Sequence, residues 1–141
     1  MNSSHKFFLI VFLLPFLLGM GSILGEDSSD TIPVPTLKYT AIYIDQMDVM
    51  TDCSDVSIEG KTFVEGTKGK GLYTIPFENI QSILFMLKNG ELTGVITLKD
   101  ESQTTLVLMK DHKAYGKAHT GTFQIKLTNL KKMVFLNKDK K

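Results

Sequence analysis

Apolar and polar residues alternate over Tyr73, Ile75 and Phe77, shift to a spacing of three across Phe77, Ile80 and Ile83, then alternate again through Phe85 and Leu87. A period of two marks a strand with one buried face, and the change to three marks a single helical turn. Gly71–Phe85 therefore predicts strand, corner, strand. Leu84 and Met86 make the second strand apolar on both faces. Pro76 has no N–H to give a ladder, so it is predicted at a sheet edge or beside the corner.

The same figure recurs fifty residues later, where Gly121–Phe135 repeats Gly, Ile, Asn and Phe at Gly71/Gly121, Ile75/Ile125, Asn79/Asn129 and Phe85/Phe135. Tyr73/Phe123, Phe77/Leu127, Ile80/Leu130, Ile83/Met133 and Leu84/Val134 keep apolar character between those anchors. Gly66/Gly116, Val56/Leu106 and Ile58/Leu108 extend the offset upstream. The expectation is a duplicated block, each copy needing its neighbour to close a core. Lys126 replaces Pro76 in the second copy, and its strand is expected to be the more central of the two.

Elsewhere, Lys38–Ile44 is rich in β-branched and aromatic residues and predicts a strand. Asp52–Asp55 reads as a turn, Val56–Ile58 as a strand, and Glu59–Lys61 as a second turn into Thr62–Glu65. Gly66–Gly71 reads as a loop. Asn89–Gly90 predicts a type I′ hairpin, because both residues tolerate positive φ. Leu92–Leu98, Leu106–Leu108 and Ala114–Lys117 complete about eight short strands with no helix after residue 25. The fold class is all-β, a sandwich or barrel.

The start of the chain differs in texture. Lys6 precedes an unbroken apolar run, Phe7–Leu18, followed by small residues Gly19, Gly21, Ser22 and Gly25 and then Glu26 and Asp27. That layout predicts a signal peptide over 1–25, or an uncleaved anchor, with the remainder outside the cytoplasm. The predicted domains are 1–25, a linker over 26–36, a β domain over 37–137 (copies about 38–87 and 88–137), and a polar tail over 138–141. Membrane contact is expected only through residues 7–25, if they stay attached.

Charge is laid out unevenly. Residues 26–65 hold nine acidic residues and two lysines, and 66–141 hold thirteen lysines and six acidic residues. Either the two portions interleave in the folded domain or they form a bipolar surface that docks on a charged partner. No arginine is present, and bidentate reading of guanine and phosphate leans on arginine. Nucleic acid is not an expected partner.

Candidate chemistry is sparse. Cys53 is the single cysteine, so no disulfide can form within the chain. Ser102, His119 and Asp100 could be assembled into a nucleophile–base–acid set, but no nucleophile-elbow pattern surrounds them; His112 and His119 fit surface turns better. Asp45, Asp48, Asp52 and Asp55 offer hard oxygen ligands without the alternating spacing of a helix–loop–helix calcium loop. The lysines of Gly66–Gly71 lack the context and the ending of a phosphate loop. Tyr39, Tyr43, Tyr73 and Tyr115 are the aromatic platforms available to a sugar in a chain without tryptophan, although Tyr73 falls on the motif's apolar face and is expected in the core. No catalytic, cofactor or metal residue is assigned.

The pattern G-x-[YF]-x-I-x-[FL]-x-N-[IL]-x-x-[IM]-x-F, as in Ile75–Ile83 IPFENIQSI, resembles small uncharacterised bacterial exported proteins over the last 70 to 80 residues. The resemblance implies an all-β fold and an exported compartment, and it carries no functional residue. The reading overall is an exported, non-catalytic β module with a structural or protein-binding role in the envelope or outside the cell. The alternative is a small-ligand or carbohydrate binder, calcium-assisted through Asp45–Asp55, and the weakest is a small hydrolase.

Overall fold

A computed structural model describes residues 31–137. The expected signal peptide, residues 26–30 of the linker and the polar tail lie outside the described residues. Ten antiparallel strands, rather than about eight, form one curled sheet. They are β1 (Ala41–Asp45), β2 (Met50–Ile58), β3 (Phe63–Lys68), β4 (Gly71–Pro76), β5 (Ile80–Lys88), β6 (Glu91–Leu98), β7 (Gln103–Leu108), β8 (Lys113–Ala118), β9 (Gly121–Lys126) and β10 (Leu130–Phe135). Single 3-10 turns at Phe77–Asn79 and Leu127–Asn129 make the two corners. Among the described residues, no helix is long and apolar enough to cross a membrane.

The strand order is β4-β3-β7-β6-β5-β10-β1-β2-β8-β9. Exchanging β1–β5 with β6–β10 turns this order into its own reverse. The centre of the reversal is the β5–β10 pair, where Ile83 lies opposite Met133 with Leu84–Lys132 and Ser82–Val134 on either side. Ile83 and Met133 are the same position of the strand–corner–strand figure, so the pairing is symmetric about them. The wiring is crossed. The hairpin β3–β4 packs on β7, and the hairpin β8–β9 packs on β2.

Short connections force the curl. β2 and β3 are six positions apart in the sheet, about 29 Å if it were flat. The chain from Ile58 to Phe63 spans at most about 19 Å. β7 and β8 face the same constraint through Leu108–Lys113, so the sheet rolls into a half-barrel. At the two seams of the roll stand Gly66 and Gly116. A Cβ on Gly66 would sit 2.8 Å from the Val107 carbonyl oxygen, and one on Gly116 2.8 Å from Cys53 Cβ. Only glycine lets the crossing hairpins approach so closely.

Turn chemistry follows the same duplication of form. Pro76 and Lys126 enter the corners with near-identical backbone angles, and Ile80 and Leu130 donate N–H bonds back to Phe77 and Leu127. The Phe77 N–H donates to the Thr62 carbonyl as the Leu127 N–H does to His112. The offset is fifty along this back portion. It is fifty-three along the front, where Ala41 opposite Cys53 and Phe135 corresponds to Gly94 opposite Leu106 and Phe85.

Three readings of the sequence are corrected by this. Cys53, not Val56, is the counterpart of Leu106. Asp52–Asp55 is strand with a bulge at Asp55 (φ 50), because β8 pairs with β2 on both sides of it. β9 is an edge strand like β4, not a central one. The core lies on the inner face, where Tyr43, Val56, Phe77, Ile80, Ile83, Ile96, Leu106, Leu127, Leu130 and Met133 are among the fully buried side chains. Each large apolar side chain enclosed contributes about 1.5–3 kcal/mol relative to exposure.

Candidate functional site

An edge strand leaves every second N–H and C=O unpaired, and proteins commonly protect it with charge, proline or a bulge. The two edges here are matched positions with unlike protection. In β9, Phe123 stacks on Tyr43 with ring centroids 5.4 Å apart, and Tyr43 Oη donates to the Tyr115 carbonyl at 2.7 Å. Burial pushes the Tyr43 phenol well above its ordinary pKa, which keeps that hydroxyl a donor. The position matching Tyr43 is Ile96, since each lies opposite its half's Met133 or Ile83. Ile96 offers no ring, and Tyr73, the counterpart of Phe123, is 47% exposed with Leu72 beside it at 66%. No charged residue falls within Gly71–Pro76, whereas β9 carries Lys126.

The turns after β1 and β6 make a second matched pair. Asp45 N–H bonds the Val49 carbonyl as Leu98 N–H bonds Ser102, and Asp48 (φ 66) and Glu101 (φ 73) hold the same left-handed position. The later turn is polar, Asp100-Glu101-Ser102-Gln103. The earlier one carries Met47, Val49 and Met50, all exposed.

A cavity of about 190 Å³ opens beside the two crossing connections. Ile58, Val64, Leu108 and Leu127 are buried in its floor, and Phe63 and Met109 flank them. Glu59, Lys61, Glu65 and His112 complete the lining. Glu59 Oε2 accepts the Lys113 N–H at 2.7 Å, and Lys61 Nζ lies 5.6 Å above the Phe63 ring. The Glu65 carboxylate and the His112 imidazole have no partner among the described residues. Burial chemistry therefore ends in four polar groups at one opening.

The four aspartates are not brought to one point. Asp45 accepts the Met47 and Val49 N–H groups, Asp48 pairs with Lys131, and Asp55 pairs with Lys38 and Lys117. Among the described residues no three metal-ligating side chains gather. Two of these ion pairs join the acidic first portion to the basic second, so the charges interleave across strands. Ser102 donates its hydroxyl (2.6 Å) and its N–H to Asp100, which holds that carboxyl below its ordinary value and builds the β6–β7 turn. His119 bonds neither of them. Gly69–Lys70 is only the tip of the β3–β4 hairpin, since the flanking residues are strand.

Cys53 is buried, and desolvation with the nearby Asp52 charge pushes its thiol up to about 11. Of the tyrosines, Tyr39 packs edge-on to Phe77, Tyr43 is enclosed and Tyr115 is half-buried, leaving Tyr73 as the outward ring. The sequence reading missed the cavity and the edge contrast. Phe77/Leu127 and Tyr73/Phe123 were visible as apolar matches, but only the crossed wiring shows what surrounds each.

No curated protein and no solved structure matches the chain. A family model described as "Uncharacterised protein" matches residues 37–138, and the chain belongs to that family.

Proposed function

We propose that this member of an uncharacterised family is an exported, non-catalytic β module that binds another protein in the envelope or outside the cell by accepting an extended segment on β4. The observation that carries the reading is the contrast of edges. β4 carries no charged residue and leaves Leu72 and Tyr73 exposed, with Pro76 only at its last position, while in its counterpart β9 Phe123 is stacked and Lys126 is charged. Main-chain bonds to such an edge supply affinity, and alternate side-chain positions supply selectivity. The fitting partner is a strand-forming segment with apolar residues at alternate positions, able to cover Leu72 on one face and Tyr73 on the other.

Export is supported by the charged start, apolar run and small-residue end of residues 1–25. Duplication of one ancestral block accounts for the palindromic strand order.

The test is capture from the native envelope fraction with wild-type protein, Leu72→Lys and the matched Thr122→Lys. The expected result is one protein retained by wild type and Thr122→Lys and lost with Leu72→Lys, all three having the same melting temperature. Equal capture by all three would remove the β4 reading, as would no capture at all. The mass of the protein recovered outside the cytoplasm tests export, and a form lacking about 25 N-terminal residues is expected.

A further inference from the structure

We infer that the cavity beside the two crossing connections binds a small amine whose apolar body is no larger than one aromatic ring. The cavity owes its space to an asymmetry between matched positions. Phe77 and Leu127 occupy the same corner site and donate the same backbone bond, to Thr62 and His112. Phe77 fills its surroundings, packing on Phe135 at 4.7 Å and edge-on to Tyr39 at 5.8 Å. Leu127 is smaller and leaves about 190 Å³ open beside it. Full-sized ligand clefts run to about 300–1,000 Å³, while an apolar cavity of about 150 Å³ takes a benzene-sized guest. One ring or one branched alkyl group is the body that fits.

The polar lining selects the head. Glu59 and Glu65 face one lysine, and Lys61 is drawn over the Phe63 ring. Glu59 is held in place by the Lys113 N–H, and the Glu65 carboxylate has no partner among the described residues. A bound ammonium would donate its hydrogen bonds to these two carboxylates, with the His112 imidazole beside them, while its body displaced water from the aliphatic floor. Strand addition at β4 neither requires nor excludes this site.

The experiment is a methyl-detected NMR titration with benzylamine, benzoate as the charge-reversed control. Benzylamine is expected to shift the Ile58, Val64, Leu108 and Leu127 methyl signals, and benzoate to bind at least about threefold more weakly. Leu127→Phe installs the side chain that the fold already accepts at position 77, and is expected to weaken benzylamine at least about tenfold. Glu59→Gln with Glu65→Gln, which keeps the acceptor for Lys113, is expected to weaken it about threefold and to remove the preference over benzoate. Absence of shifts in wild type would overturn the inference. So would equal binding of benzoate, or retained affinity in folded Leu127→Phe; should that variant not fold, unchanged affinity in the double glutamine variant decides against it.

Discussion

The half of the sheet made by β1, β2, β8 and β9 and the half made by β6, β7, β3 and β4 share one wiring and differ in what fills it. In the first, Tyr43 reaches across to stack on Phe123 and bond Tyr115, and its edge strand is closed down. In the second, Ile96 stands where Tyr43 would, and Tyr73 and Leu72, on opposite faces of β4, are left exposed. The corners reverse this ranking. Phe77 belongs to the half-chain with the open edge and is tightly packed, while Leu127 belongs to the other and borders the cavity. Backbone form is therefore common to both halves, and the sites arise where large side chains are present in one and missing from its counterpart.

That contrast can be broken most severely at the corners. Phe77→Ala should cost about 3–5 kcal/mol, as expected for removing an enclosed aromatic, because Phe77 is 1% exposed and contacts two further rings. Leu127→Ala should cost less, near the low end of about 2–5 kcal/mol, since its side chain already borders open space. Chemical denaturation of both variants checks the order, and a larger loss at Leu127 would refute the packing difference.

The seams come next. Gly66→Ala places its Cβ 2.8 Å from a backbone oxygen, whereas Gly116→Ala meets the Ser54 oxygen at 3.3 Å and otherwise the Cys53 side chain. Overpacking costs typically about 1–3 kcal/mol, and Gly66→Ala should lie at the top of that range and Gly116→Ala below it. Equal midpoints for the two variants would show that the seams yield alike.

The smallest effect separates Cys53 from Leu106, matched positions of which only one titrates. Folding raises the thiol from 9.0 to about 11, so the folded state keeps a proton that the unfolded chain releases. The sign follows: this stabilisation is complete below about pH 9 and falls as pH rises toward 11. Cys53→Ala should lose stability less steeply across that window than wild type. Parallel stability–pH curves would show that the thiol is not desolvated.

What was legible in the sequence was local and periodic. The change of spacing at Phe77–Ile83 gave both corners, and Asn89–Gly90 (φ 54 and 79) forms the predicted hairpin turn. The front of the repeat was harder to align, because β2 contains the Asp55 bulge and the chain between Ser54 and Thr62 is three residues longer than its counterpart between Val107 and His112. A bulge hides from pattern reading, since Asp-Cys-Ser-Asp has the composition of a turn. Edge and centre are hard to tell apart at β9 because a lysine guards an edge but also stands on exposed faces of central strands, whereas proline is confined to edges. The cavity was written as one difference, Phe77 against Leu127, whose meaning depends on strands brought together only by the crossed order.

That crossed order also sets a timetable. β1 pairs with β10 and β2 with β8, so the first strands of the domain to emerge wait for Lys113–Phe135 before either is enclosed. Such long-range pairing is slow and leaves edges exposed in the meantime. Only the contiguous half β4-β3-β7-β6-β5 can be complete once Leu108 has emerged. On the export reading, the half that holds β1 and β2 cannot close until the last quarter of the chain arrives, and losing that quarter would leave the β1–β2 hairpin without β10 on one side and β8 on the other.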